Sequence, residues 1–121
     1  MTVLLVAAGG AVGAVTRYLV DVWVQARHGT GLPWGIFVVN AVGSLLAGVV
    51  MGAAAAGRLP EAVVTLAGTG FCGALTTYST LALDTVTLAR TGRRAWAVLN
   101  ALGSVTVGLA ACALGWLLGS A

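Results

Sequence analysis

The chain has 121 residues, of which 60% are hydrophobic and only 7% charged, with a formal net charge of +3. Soluble domains carry roughly 25% charged residues, and a chain this short buries only about two thirds of its unfolded surface, so water is no solvent for it. The composition excludes a water-soluble globule and calls for a bilayer.

About 20 apolar residues in a helix cross the hydrocarbon. Polar or turn-forming breaks near Arg27 to Pro33, Gly57 to Pro60 and Arg90 to Arg94 divide the chain into expected spans at 3–25, 33–56, 61–89 and 95–118, one all-α transmembrane domain over 1–121. The start, Met1-Thr2-Val3, lacks the basic stretch of a cleaved signal, so the first span is expected to stay.

The first span carries Arg17 after Gly9-Gly10-Ala11-Val12-Gly13-Ala14, with Asp21 one turn further on. An arginine inside a span is costly, about 2.5–3.5 kcal/mol on insertion scales. It is expected either to pair with Asp21 or to hold a fixed positive charge in a vestibule that attracts anions. In the second span Asn40, Gly43, Ser44, Ala47 and Gly48 recur at helical spacing, a stripe of small and polar groups suited to close helix packing. Asn40 stands out because its amide offers two donors and an acceptor.

The third span is long for a bilayer, and its centre reads Gly70-Phe71-Cys72-Gly73-Ala74-Leu75-Thr76-Thr77-Tyr78-Ser79-Thr80. Glycines followed by hydroxyl side chains disfavour a continuous lipid-facing helix, which predicts a break near 73–77. Unwound backbone at that depth is tolerated where protein buries it or where it lines a wet cavity. The fourth span repeats a polar stripe with Asn100, Ser104 and Gly108. These groups either bond one another or line a path.

Lysine is absent, and arginine is unevenly placed: Arg27, Arg90, Arg93 and Arg94 lie in the first and third loops, Arg58 in the second. The positive-inside rule then sets the first and third loops in the cytoplasm and both termini outside. Cys72 and Cys112 fall in apolar stretches, where thiols act as small hydrophobes. The single histidine, His28, lies in a loop, and Asp21, Glu61 and Asp84 are spread over separate helices, so no catalytic constellation forms and an enzyme is not expected.

Three motifs, in this order and spanning most of the chain, resemble the Fluc (CrcB-type) fluoride channels: Gly9-Gly10 through Gly13-Ala14 to Arg17-Tyr18, Val39-Asn40 with Gly43-Ser44, and Gly70-x-x-Gly73 leading into Thr76 to Thr80. The resemblance implies a bacterial, multi-pass plasma-membrane protein that exports fluoride passively and so confers fluoride resistance. It implies an antiparallel dimer with the third helices broken at the dyad around a structural sodium ion, held by the backbone carbonyls of Gly73 and Thr76. Asn40, Thr77, Tyr78 and Ser104 would contribute to the fluoride pathway, with Arg17 in a vestibule or pairing role. Tyr78 and Leu81 stand where that family has a pair of phenylalanines, Ile36 where it has a threonine, and Ala74 where glycine is frequent. Some members of that family are two-gene pairs of opposite orientation, and the arginine asymmetry of this chain fits one half of such a heterodimer better than a homodimer.

A small multidrug-type proton-coupled exporter, the main alternative, needs a carboxylate early in its first helix, where this chain has Arg17 and only a late Asp21. A non-conducting partner subunit of a heterodimeric channel is the other.

Overall fold

The computed structural model describes residues 1–121, and they are helical almost throughout, with no strand. Helix α1 (Thr2–Arg27) and helix α2 (Trp34–Ala55) are each long and apolar enough to cross a membrane. A bent helical rod follows: α3 (Glu61–Val63), a π-helical segment (Val64–Cys72), α4 (Gly73–Leu75) and, after Thr76 and Thr77, α5 (Tyr78–Arg90). Helix α6 (Arg94–Ser120) is the third uninterrupted span. The all-α architecture and the interrupted third segment agree with the sequence expectation; the dimer is a property of more than one chain.

The turns follow from local chemistry. Gly57 and Gly92 take positive φ (70° and 83°), which glycine reaches without a Cβ penalty. Each closes a Schellman motif. Arg58 and Gly57 donate to the carbonyls of Ala53 and Ala54 at 2.9 Å each, while Arg93 and Gly92 donate to Leu88 and Ala89 at 2.9 and 3.4 Å. Pro33 and Pro60 occupy the N-caps of α2 and α3, where a missing N–H costs no helical bond.

Of 18 buried residues, eight are apolar side chains, one is Ser104 and the remainder are glycines. The chain therefore holds together by backbone laid on backbone. A Cβ on Gly48 or Gly52 would run into the carbonyls of Cys112 and Trp116 on α6, and one on Gly115 or Gly119 into those of Leu45 and Val49 on α2. This reciprocal small-xxx-small seam joins α2 to α6, the packing mode of helices in lipid, where dispersion replaces the hydrophobic effect. Gly9 and Gly13 play the same part between α1 and the π-helical segment.

The wide π turn was not legible in the sequence. Its last bond runs from the Gly73 N–H to the carbonyl of Gly68, five residues back. The two parts of the rod lean on different partners, the part before the break on α1 and α5 on α6. The chain must change direction between them, and it does so at Thr76–Thr77.

Candidate functional site

Thr76 (φ −80°, ψ 153°) and Thr77 (φ −148°, ψ 126°) are extended, so the helical ladder stops for two residues inside the span. Their backbone groups cannot stay bare at that depth. Asn40 of α2 supplies the substitute: its Nδ2 donates to the Thr77 carbonyl at 3.1 Å, and the Thr77 N–H donates to its Oδ1 at 2.7 Å. This two-point clasp imitates a peptide group and fixes which way the amide points. It also leaves the second Nδ2 hydrogen uncommitted. Gly43, one turn on, lets α2 approach the break, since a Cβ there would press on Thr76 and Leu75.

Thr77 is also the N-cap of α5. Its Oγ1 accepts from the Thr80 N–H at 3.3 Å and bonds Thr80 Oγ1 at 3.2 Å, with Ser79 Oγ at 3.4 Å. Thr76 Oγ1 donates back to the Cys72 carbonyl at 3.1 Å. The hydroxyl run thus ends one helix and starts the next.

Arg17 does not spend itself on Asp21. Its Nη1 is directed at the Thr76 carbonyl, 3.5 Å away, which receives no backbone N–H. Asp21 instead packs against Gly35 of α2, whose missing Cβ makes room for its carboxylate. Of the two readings open for Arg17, the pairing with Asp21 gives way to a fixed charge at the break.

Gly73 is exposed, and the N–H that would normally close on its carbonyl, that of Thr77, has been turned to Asn40. Tyr78, the first residue of α5, is 83% exposed and points away from its own chain. On α6 the polar stripe splits. Asn100 donates to Thr85 Oγ1 at 3.0 Å, and Thr85 in turn to the Leu81 carbonyl at 2.8 Å. Ser104 is buried and its Oγ has no hydrogen-bond partner. An orphaned buried hydroxyl costs about 1–3 kcal/mol.

Toward the first and third loops a cavity of about 330 Å³ opens, lined by Asp21, Gln25, Thr80, Asp84 and Arg93 among others. Asp84 as a wall residue was missed in the sequence, where the carboxylates look scattered. Its spacing of four from Thr80 on one helical face was the available signal.

The arrangement brings together Arg17, Asn40, Thr76 and Thr77; Ser104 lies apart on α6, and Tyr78 faces outward. It offers free or partly free donors at the break, while the cavity is lined by other residues, among them Thr80, the bonding partner of Thr77. No nucleophile with a base and no group of metal-binding side chains is formed.

Known proteins resemble this chain over most of its length. The sequence profile of the family described as CrcB-like protein, Camphor Resistance (CrcB), matches residues 4–116. A protein of Frankia casuarinae named fluoride-specific ion channel FluC 1 is 53% identical, over 95% of this chain and 93% of that relative. One of the same name from Streptomyces avermitilis is 48% identical over the same shares. The fluoride-specific ion channel FluC of Thermus thermophilus is 40% identical over 98% of this chain and 93% of its own.

Proposed function

The chain belongs to the CrcB-like family, and from that premise we propose that it is a subunit of a fluoride channel, a multi-pass protein of the bacterial plasma membrane that lets cytoplasmic fluoride leave down its gradient. The observation that carries this reading is the clasp of Asn40 on Thr77, which places an amide with a hydrogen to spare at an interrupted helix inside the membrane. Fluoride is small and strongly hydrated, so its path must replace water with donors that do not trap it. The spare Nδ2 hydrogen of Asn40 and the unpartnered hydroxyl of Ser104 are such donors. Thr77 shapes the path through its backbone and its cap, while the Arg17 charge raises the local anion concentration.

Tyr78 has no place within its own chain, and its ring edge, the positive rim of the aromatic quadrupole, suits an anion in a pathway completed by a neighbouring subunit. The reading therefore extends to an antiparallel dimer. The arginine asymmetry favours a homologous partner of opposite orientation.

A structural sodium ion fits the donor set at the break. The Thr76 carbonyl lacks a backbone donor, and the Gly73 carbonyl has lost the Thr77 N–H. Both are hard oxygen ligands, and sodium there would supply positive charge to hold two breaks together. Two carbonyls are too few for its shell, so the second subunit would contribute the rest. Arg17 already stands 3.5 Å from one of them and shares the task of neutralising the exposed dipoles.

The test is electrogenic efflux from liposomes loaded with potassium fluoride or potassium chloride and opened with a potassium ionophore. The purified chain, alone or with its homologous partner, is expected to release fluoride rapidly and chloride hardly at all. Equal release of both ions, or none from either preparation, overturns the proposal. Flux from the single chain alone would remove the need for a partner but keep the channel.

A further inference from the structure

The cavity of about 330 Å³ reaches from the loops to within one helical turn of the break. Its deep end is set by Ile36, one turn before Asn40 on α2, and by Thr80 on α5, whose Oγ1 accepts from Thr77 Oγ1 at 3.2 Å. Its shallow end is set by Gly31 in the first loop and by Thr91 and Arg93 in the third. The stretch from Thr80 to Thr91 is about 16 Å at the rise of an α-helix, about half the hydrocarbon thickness. An ion entering at the loops passes this wall before it meets the clasp.

For an anion the wall has an awkward charge. Asp21 and Asp84 both line it, and Arg93 is the one cation that does. The other arginines stand elsewhere: Arg27 lies 3.9 Å over the Trp23 ring, Arg90 and Arg94 are exposed outside the wall, and Arg17 faces the Thr76 carbonyl. Without Arg93 the lining would carry negative charge alone, which depletes anions from a cleft.

The first loop builds a seat for this guanidinium. Arg93 Nη1 donates to the Thr30 carbonyl at 3.1 Å, and a Cβ on Gly31, itself at φ 72°, would stand 3.2 Å from the same nitrogen. Thr30 is held in turn, its Oγ1 accepting from Trp34 Nε1 at 3.2 Å. The bond commits one of the guanidinium's donors and goes to a neutral carbonyl, so the charge stays fixed at the entrance and is not neutralised. We propose that Arg93 is the anion-recruiting residue of the vestibule, offsetting Asp21 and Asp84 and setting the rate at which fluoride enters from the loop end. The inference rests on the fluoride-channel reading. A purely structural tie between the two loops is the competing role.

Chemical restoration of the charge separates the two. In a Cys112→Ala background, whose remaining thiol, Cys72, is buried, Arg93→Cys is purified and labelled in detergent with a methanethiosulfonate bearing either a trimethylammonium or a sulfonate group. Each form is reconstituted, with the homologous partner where flux requires it, and fluoride efflux is measured at low ionic strength. Unlabelled Arg93→Cys should conduct about tenfold more slowly than its parent, the trimethylammonium label should recover most of that loss, and the sulfonate label should slow efflux further. Near 1 M salt, where the Debye length is about 3 Å, the two labelled forms should converge. Both labels are added after folding, so a difference between them is not a folding effect. Arg93→Lys, which keeps the charge, should stay within about twofold of the parent. Equal efflux with the two labels overturns the proposal in favour of a loop tie, as does an Arg93→Cys rate equal to the parent's. A parent that releases no fluoride removes the channel reading and this proposal with it, whereas a conducting parent indifferent to the charge removes this proposal alone.

Discussion

Helix α2 touches the rest of the molecule in two different ways on two of its faces. Toward its C-terminal end Gly48 and Gly52 meet α6 through bare backbone, and nothing polar is exchanged. Toward its N-terminal end Asn40 and Gly43 meet the interrupted rod, and contact is made through hydrogen bonds to Thr77. The same spacing of small residues thus serves a dry seam and a polar clasp. The seam tolerates no added atom; the clasp requires a particular donor and acceptor. What separates them is the state of the facing helix, continuous in α6 and open at Thr76–Thr77.

The comparison breaks most readily at the seam. Gly115→Leu forces a branched side chain into the Leu45 carbonyl and Val49 N–H, and overpacking of this kind costs on the order of 3 kcal/mol. Thermal stability in detergent, followed by size exclusion, should fall sharply, and a protein as stable as wild type would show that α2 and α6 do not pack this way. Substitution at Arg17 sharpens the other end. Arg17→Gln removes the charge facing the Thr76 carbonyl, and fluoride efflux at low ionic strength should drop about tenfold. An unchanged rate would place the arginine outside the path.

Smaller effects follow at the cap and the vestibule. Thr77→Ala removes the Oγ1 that accepts from the Thr80 N–H, a loss of about 1 kcal/mol that Thr77→Ser should largely restore. Parallel stability measurements on the pair read this directly, and equal losses in both would point to packing rather than capping. Asp84→Asn removes a negative charge from the vestibule wall. Efflux should rise about twofold in dilute buffer, and the gain should vanish near 1 M salt, where the Debye length is about 3 Å. A gain that persisted in high salt would rule out an electrostatic cause.

The coarse fold was legible because it is written in local terms. Apolar run length gives the spans, Gly57 and Gly92 give the turns, and Gly70, Gly73 and the hydroxyls after them give the interruption. The π-helical segment was not legible, because the glycines and threonines within Val64–Cys72 signal a weakened helix but not its pitch, and the widened turn depends on what packs against it. At the site, Asn40 could be singled out as an amide in lipid, but its partner could not. That partner is a pair of backbone groups thirty-seven positions away, freed only once the rod has opened. Arg17 was equally ambiguous: Asp21 lies one turn along, yet Gly35 draws that carboxylate aside while Thr76 presents a bare carbonyl.

The central claim is that the Asn40 clasp belongs to the conducting path and the glycine seam to the scaffold alone. It is tested most directly by fluoride efflux per folded protein for Asn40→Asp, measured beside the wild type in the same liposomes. Aspartate keeps an acceptor for the Thr77 N–H but loses the donor to its carbonyl and brings a negative charge to the break. The account predicts an Asn40→Asp protein that elutes like the wild type and loses fluoride flux by at least about a hundredfold. Normal flux from a normally eluting Asn40→Asp would contradict it.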